Sequence, residues 1–388
     1  MILFASSFSG LSDSAAAGTA LAADIQQNLH PHHPDVLVVF ASSEHDYDAL
    51  LKALAHAFPE AKLVGCSSAG EFTGQRAGTG SVSVLALATD EMQFAVGLGR
   101  GMRENVDSVV TQIVSTFTQI DDFRYSYRTA LLFADALAGH TDELIEKLTI
   151  ATGGLHQFVG GGAGDDAKFK STHVFFGTAA YTDAVATLEI LSNKPIGVGA
   201  RHGWRPASKI MRVTESDGAR LISLNGLPAA QVYCDHIEAA GARFNAEDPM
   251  PHFLHNVLGI DTGSGFKLRV PLAIHKNGSL QCASDVPEGA LVRFMRIEAQ
   301  SAAIAAEQAA ADAIEQLGEH PVGAALFFDC VATRLRMGEG FAGELAALSN
   351  SLRASVFGGC NTYGQIVRRE GQFNGFHNCT AVVCAFPR

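Results

Sequence analysis

Three stretches of this chain are written in one grammar: an apolar β-rich run, a helical segment, then a second apolar run ending in a glycine-rich turn. The first opens with Val36-Leu37-Val38-Val39-Phe40, passes a helical segment near 47–58 and closes with Leu63-Val64-Gly65-Cys66-Ser67-Ser68-Ala69-Gly70-Glu71. The second opens with Ala130-Leu131-Leu132-Phe133, has its helix near 142–152, and closes with Phe158-Val159-Gly160-Gly161-Gly162-Ala163-Gly164-Asp165-Asp166. The third runs from Ala325-Leu326-Phe327-Phe328 through a helix near 343–352 to Val356-Phe357-Gly358-Gly359-Cys360-Asn361-Thr362-Tyr363-Gly364-Gln365. From the phenylalanine closing each first run (Phe40, Phe133, Phe328) to the first turn glycine (Gly65, Gly160, Gly358) is 25, 27 and 30 residues. A strand, a crossover helix and a parallel strand need about thirty residues, so each stretch predicts a βαβ unit. Repeats of this kind constrain a fold more than any single motif does.

A further strand is expected after each unit, at 81–88, 184–191 and 380–386, and a helix before each, at 13–29, 106–120 and 299–317. Ser12 or Asp13 is placed to cap the first helix. The stretch 195–296 departs from the grammar. It holds short β-like runs at 210–213, 266–274 and 290–297, one helix candidate at 228–239, and a hairpin signal at Asn277-Gly278. The expected fold is α/β in two lobes of repeated β-α-β-β units, with a β-rich insert in the second. The boundary falls near Ser192-Asn193-Lys194-Pro195, giving domains 1–194 and 195–388.

Composition narrows the function classes. A net charge of −12, from 28 basic and 40 acidic side chains, disfavours nucleic acid and anionic membrane. Seven cysteines without a C-x-x-C pair read as reduced thiols. Met1-Ile2-Leu3-Phe4 lacks the basic region of a signal peptide, and no apolar run approaches the roughly 18–20 residues that span a bilayer, so a cytoplasmic protein is expected.

The turns carry the candidate chemistry. Glycine after a buried strand admits close backbone approach, and three such turns at strand ends would suit one cleft; equally, they would let three strands turn tightly within a packed repeat. None is a nucleotide fingerprint: Asp165 stands where G-x-G-x-x-G needs its last glycine, and no Walker motif occurs. Gly65-Cys66-Ser67-Ser68-Ala69 approaches a nucleophile elbow, but Glu71-Phe72-Thr73-Gly74-Gln75 reads as loop where that motif needs a helix. Glu71, Asp165 and Asp166 are carboxylates beside the turns, with neutral Gln365 in the third. Such groups bind an amine or a cation, act as acid and base, or cap loop amides.

Fifteen histidines invite a metal or haem reading, with His32-His33, His202 and the pair His252/His255 conspicuous. No H-E-x-x-H or C-x-x-C-H occurs, and Pro249 and Pro251 argue for loop around the pair. A b-type haem needs one axial histidine and an apolar pocket and leaves no spacing signature.

Taken together, several motifs resemble the FIST proteins (F-box and intracellular signal transduction). These are Val64-Gly65-Cys66-Ser67-Ser68-Ala69-Gly70-Glu71-Phe72, the turn from Val159 to Asp166, Gly203-Trp204-Arg205-Pro206 and Val213-Thr214-Glu215-Ser216-Asp217-Gly218. Further along come Asn225-Gly226-Leu227-Pro228-Ala229, Asp285-Val286-Pro287-Glu288-Gly289, the turn from Gly358 to Gln365, and Phe376-His377-Asn378-Cys379-Thr380. The resemblance implies an N-terminal and a C-terminal FIST domain and a stand-alone, non-catalytic sensor. Its small ligand would be an amino acid or a derivative, bound between the lobes, with output through a partner protein. The implied ligand-binding residues are Gly65, Ser67, Ser68, Gly70, Glu71, Gly161, Gly164, Asp165, Cys360, Tyr363, Gln365 and His377. Similarity to the NosP branch is looser, with Thr172-His173-Val174-Phe175 the nearest stretch. That branch implies haem b, nitric oxide sensing, and a histidine kinase or a diguanylate cyclase or phosphodiesterase as partner. His173, His202 and His377 are the axial candidates. An enzyme using Glu71, Asp165 or Cys360 is the reading from another class. The family's third turn commonly ends Gly-Glu, so Gln365 removes a carboxylate that a ligand amine would meet.

Overall fold

The computed structural model describes residues 1–118, 124–353, 356–369 and 372–388. The three βαβ units are present. Strand Val36–Ser42 pairs in parallel with Lys62–Ser68, Tyr127–Ala134 with His156–Gly162, and Val322–Cys330 with Val356–Thr362. The crossover helices are Tyr47–Ala57, Thr141–Ala151 and Phe341–Ser351. On the other side of each first strand lies the expected antiparallel strand: Val82–Thr89, Ala184–Ser192 or Ala381–Pro387. Outside these come Ile2–Ser9, Met92–Arg100 and Gly197–Arg201. The leading helices are Ser14–Leu29, Val106–Val114 and Ala299–Gln316. Asp13 caps the first by accepting from the Ala16 amide at 2.7 Å. The second is shorter than its expected span, whose end at Ile120 lies outside the described residues.

The units are not self-contained. After its turn each sends a short hairpin into a neighbour's sheet. Glu71–Thr73 adds to Val356–Thr362, Val174–Phe176 to Lys62–Ser68, and Gln365–Arg369 to His156–Gly162. Unit one thus completes the sheet of unit three, unit three that of unit two, and unit two that of unit one. The exchange closes a cycle, and the stretch expected as loop after Glu71 is one of its strands. The two halves of the chain are locked together by it.

Each sheet has one face toward the cycle's centre and one toward its own helices. Phe40, Phe133 and Phe328 meet at the centre, with ring centroids 5.7, 5.8 and 6.2 Å apart. Around them pack the inward side chains of all three sheets, while separate apolar layers lie under each pair of helices. Central strands buried on both faces have no polar side to show, which explains their unbroken apolar runs. Register picks out one glycine per unit, namely Gly65, Gly160 and Gly359. A Cβ there would fall 1.8, 2.0 and 1.9 Å from the carbonyl oxygen of Val39, Leu132 and Phe327. The alanine-rich helix Ala299–Gln316 has a similar cause: Gly197 and Gly199 bring their strand so close that a Cβ would sit 1.8 Å from the Ala313 and Ala309 carbonyls.

The insert forms a sheet of its own between Arg205 and Arg296, with helix Ala229–Ala239 against it. The run expected at 266–274 is broken into Phe266–Arg269 and Pro271–Ile274, and Asn277-Gly278 lies in the turn before Leu280–Cys282. Met250–His255 is a short helix rather than the expected loop, since proline fits a first helical turn, where no amide needs an internal partner.

Candidate functional site

The three glycine turns converge at one end of the central axis and hydrogen-bond to one another. The Ala69 amide donates to the Asn361 carbonyl at 2.9 Å and the Asn361 amide to Gly70 at 2.8 Å. The Gly164 amide donates to Ser67 at 2.8 Å, the Gly162 amide to Gly364 at 2.9 Å, and the Tyr363 amide to Gly162 at 2.9 Å. Glycine is needed for this closeness. A Cβ on Gly70 would press on the Arg334 guanidinium, one on Gly161 on Thr362, and one on Gly164 on the Ala69 amide. The turn residues read from the sequence as lining a cleft are therefore brought together, largely in contact with each other.

The polar side chains beside the turns face inward. Glu71 is fully buried and accepts from Ser68 Oγ at 2.6 Å and from Ser81 Oγ and N at 2.6 and 3.2 Å. Burial pushes its carboxyl up to about 7, against the pull of those hydrogen bonds. Asp165 gathers its own loop, accepting from the amides of Phe169, Lys170 and Ser171 at 2.8, 2.6 and 3.0 Å and from the Tyr363 hydroxyl. Burial alone would raise its pKa, but these donors outweigh it and hold it below the ordinary value. Asp166 accepts from Ser42 Oγ and Ser43 N. Ser67 Oγ accepts from the His173 amide at 2.9 Å. Cys360 abuts Cys66 in the central core, where burial first and this neighbour second push its thiol up.

Where the third turn meets the insert there is a cavity of about 320 Å³. The first half supplies Ala136–Ala138, just beyond its strand end, and Phe169; the second supplies Tyr363, Gly364, Val331, Ala332 and Asn378; the insert adds Leu254, Val270 and Leu272. Tyr363 lies flat on Phe169, centroids 4.5 Å apart at 16°, and its hydroxyl is taken by Asp165, so the cavity meets ring rather than oxygen. Among the described residues that line it, none is an Asp, Glu, Lys, Arg or His. Its polar side chains include Asn378, which is buried and whose amide oxygen Oδ1 has no hydrogen-bond partner among the described residues. A shallower groove of about 620 Å³ runs between the exchanged hairpin and Phe341–Ser351, bordered by Arg334 and Asn361.

One ionic cluster joins the insert to the cycle beside the cavity. Asp142 accepts from Lys267 Nζ at 2.9 Å, Arg269 Nη2 at 3.1 Å, Ser284 Oγ at 3.2 Å and the Phe376 amide at 2.8 Å. Its burial favours the neutral acid, but the two cations prevail and hold it below the ordinary carboxylate range. His377 lies close by; burial, reinforced by Lys267 and Arg269, pushes it down to about 3, so it is neutral.

The haem candidates do not converge. His173 packs against the Tyr47 ring at 5.3 Å, His202 Nε2 hydrogen-bonds the Phe266 carbonyl at 2.9 Å, and neither these nor His377 line the cavity. The residues around the cavity thus offer haem no axial nitrogen. Among the described residues no group of three or more His, Cys, Asp or Glu is placed to hold a metal ion. The sequence reading missed Asn378 and Asp142 as site residues. Asn378 had a signal, since it lies within the Phe376–Thr380 motif, whereas Asp142 had only its place at the start of a predicted helix.

The family model of the FIST N domain matches residues 35–227, and that of the FIST C domain matches residues 229–368. No curated protein sequence matches the chain. Among solved structures, a cyanuric acid hydrolase from A. caulinodans is similar at 8% identity, over 100% of this chain and 99% of that one, with a TM-score of 0.34. A second cyanuric acid hydrolase is similar at 9% identity over the whole of both chains, with a TM-score of 0.35. Likeness at that level carries no argument about this chain.

Proposed function

The chain belongs to the FIST family of signal-transduction sensors, and from that premise we propose that the cavity at the third turn is its ligand site. The ligand is a small neutral molecule, apolar over most of its surface, with an amide or hydroxyl donor for Asn378. Among amino-acid derivatives this selects those blocked at both charged ends. The observation that supports the reading is that, among the described residues, the wall of this mostly apolar cavity holds no charged side chain and includes the buried amide side chain of Asn378. A zwitterion would bring an ammonium and a carboxylate to walls that, among the described residues, hold no charged partner for either, at far greater cost.

Binding rather than catalysis is favoured by the state of the turn carboxylates. Glu71 and Asp165 are each occupied by hydrogen bonds from neighbouring serines, loop amides or Tyr363. The cavity is walled jointly by the insert and the cycle, so a ligand that touches both favours one arrangement of the two, and a partner protein that distinguishes the arrangements completes the signal.

A matched thermal-shift series tests this: free leucine, N-acetyl-leucine amide and a cyclic dipeptide of leucine, each on wild type and on Asn378→Leu. Ligand at a hundred times Kd adds about 2.7 kcal/mol of stability, a readily measured rise in Tm. The expected result is a rise for the neutral compounds, none for the zwitterion, and loss of the rise in Asn378→Leu. Equal shifts for the zwitterion, or a shift untouched by the substitution, would overturn the reading.

A further inference from the structure

Two short helices, Met250–His255 of the insert and Val331–Met337 of the third unit, each contribute to two hollows. Met250, Leu254, Val331, Ala332 and Leu335 line the cavity at the third turn, whereas Pro251, His252, His255 and Arg336 line a second recess of about 450 Å³. Ile297 and Ile237 make part of that recess apolar, together with Ala240 and Ala242 just beyond helix Ala229–Ala239. The carbonyls at this helix end, which would repel an anion, are already occupied. Those of His236, Glu238 and Ile237 accept from the amides of Ala240, Gly241 and Ala242 at 3.2, 2.9 and 3.2 Å. The charged part of the wall is basic: Arg296 and Arg336 stand with the two histidines against one acid, Glu298, among the described residues. Glu298 begins helix Ala299–Gln316, whose positive end already favours a carboxylate. Arg296 is held in place, since its Nε donates to Asn256 Oδ1 at 3.1 Å and the buried Asn256 is fixed in turn by its Nδ2 on the His252 carbonyl at 3.1 Å. Among the described residues neither Arg296 nor Arg336 forms an ion pair. A chain of net charge −12 thus brings two guanidiniums to one recess without setting its own carboxylates on them.

We propose that this recess binds a phosphate monoester that carries a small apolar organic group. Two guanidiniums match a dianion in charge, and each presents a planar fork of donors to phosphate oxygens. A monocarboxylate would leave one of them unanswered. The apolar residues of the wall take the organic group, as in other pockets where a few polar groups fix a mostly apolar ligand. The histidines complete the setting. His252 Nε2 accepts from the Asn245 amide at 3.1 Å, so that ring is neutral and adds shape rather than charge. His255 registers the local field: its partial burial first, then Arg336, His252 and Arg296, lower its pKa, and an anion seated among them relieves that pressure. The site is separate from the cavity at the third turn, and the inference holds whatever that cavity binds.

The test is calorimetric titration of the full-length protein with phenyl phosphate, inorganic phosphate and phenol, at about pH 7.5, where a phosphate monoester is mostly dianionic. Phenyl phosphate should bind at least about tenfold more tightly than inorganic phosphate, phenol should not bind, and added sodium chloride should weaken the binding. Arg336→Gln, which removes no hydrogen bond or ion pair among the described residues, should weaken phenyl phosphate at least about tenfold. Lys52→Gln, on the crossover helix of the first unit, should leave it unchanged. Equal affinity for inorganic phosphate, binding of phenol, full affinity in Arg336→Gln or no saturable binding of phenyl phosphate would each overturn the proposal. The order of the three compounds is read on the wild-type protein, so misfolding of a variant cannot mask the answer.

Discussion

Replacing Glu71 by glutamine should stabilise this protein at alkaline pH and do little in mild acid. The carboxyl is fully buried and its pKa rises from 4.5 to about 7, chiefly because burial disfavours the charge. A raised folded-state pKa means that the native protein holds its proton more tightly than the unfolded chain. The associated stability is complete below pH 4.5 and drains away as pH rises towards 7. At 1.36 kcal/mol per unit, the ionised group costs just under about 1 kcal/mol at pH 5 and about 3 kcal/mol at pH 8. Glutamine escapes that cost and keeps the contacts: its oxygen still accepts from Ser81, and its amide donates to a Ser68 hydroxyl turned the other way. The protein already contains the control, since Gln365 holds the register-equivalent place in the third unit between Thr362 and Thr380. Urea unfolding at pH 5 and pH 8 measures the difference. A gain of about 2–3 kcal/mol confined to the higher pH is expected. A loss above about 1 kcal/mol at pH 8, or the same change at both pH values, would show that Glu71 is ionised and compensated by something the hydrogen bonds do not reveal.

Two other substitutions test the frame around the site. Gly359→Ala places a methyl 1.9 Å from the Phe327 carbonyl oxygen inside a buried parallel pair; a loss above about 4 kcal/mol or failure to fold is expected by urea unfolding, and a Tm within a few degrees of wild type would refute the close approach. Asp142→Asn leaves Lys267 and the buried Arg269 without their shared carboxylate and should cost about 3 kcal/mol, with faster amide exchange in Phe266–Arg269. Asp142 is held below its ordinary pKa, so its contribution is present above the unfolded carboxylate value and fades as pH falls through the folded one. The substitution should therefore matter less at pH 3 than at pH 7.

The repeat was legible because its signals are local. Phe40, Phe133 and Phe328 close apolar runs, the turn glycines follow at similar distances, and the crossover helices lie between. The exchange of hairpins was not legible, for a physical reason. Glu71–Thr73 is three residues long, too short to show a period of two, and its partner Cys360 lies far along the chain. No pattern within a window of sequence encodes a pairing settled by the closure of the whole cycle. The same holds for the cavity. Ala136, Val270, Cys330 and Asn378 come from four separate places, and none belongs to a motif whose spacing announces chemistry. The glycines drew attention as sites of close approach, and they are; what approaches them includes the backbones and side chains of the other turns.

Three near-copies of one unit build a scaffold from what they share, and this molecule places its distinctive chemistry where they differ. Four positions beyond the register-matched glycines stand Ala69, Gly164 and Tyr363. Only the third has a ring to wall a cavity and a hydroxyl to reach Asp165. Two positions beyond the central phenylalanines stand Ser42, Asp135 and Cys330. The serine donates to Asp166 and the aspartate accepts from the Leu137 and Asp183 amides, while the cysteine lines the cavity. The insert meets the cycle at the third turn, so one of three equivalent corners acquires a roof. A search for sameness along the chain finds the frame and passes over this corner, because its residues are the ones that broke the pattern. A ligand seated there would touch Tyr363, whose hydroxyl ties the third turn to the loop of the second, and Asn378. Through those contacts a ligand would act on the joint between insert and cycle.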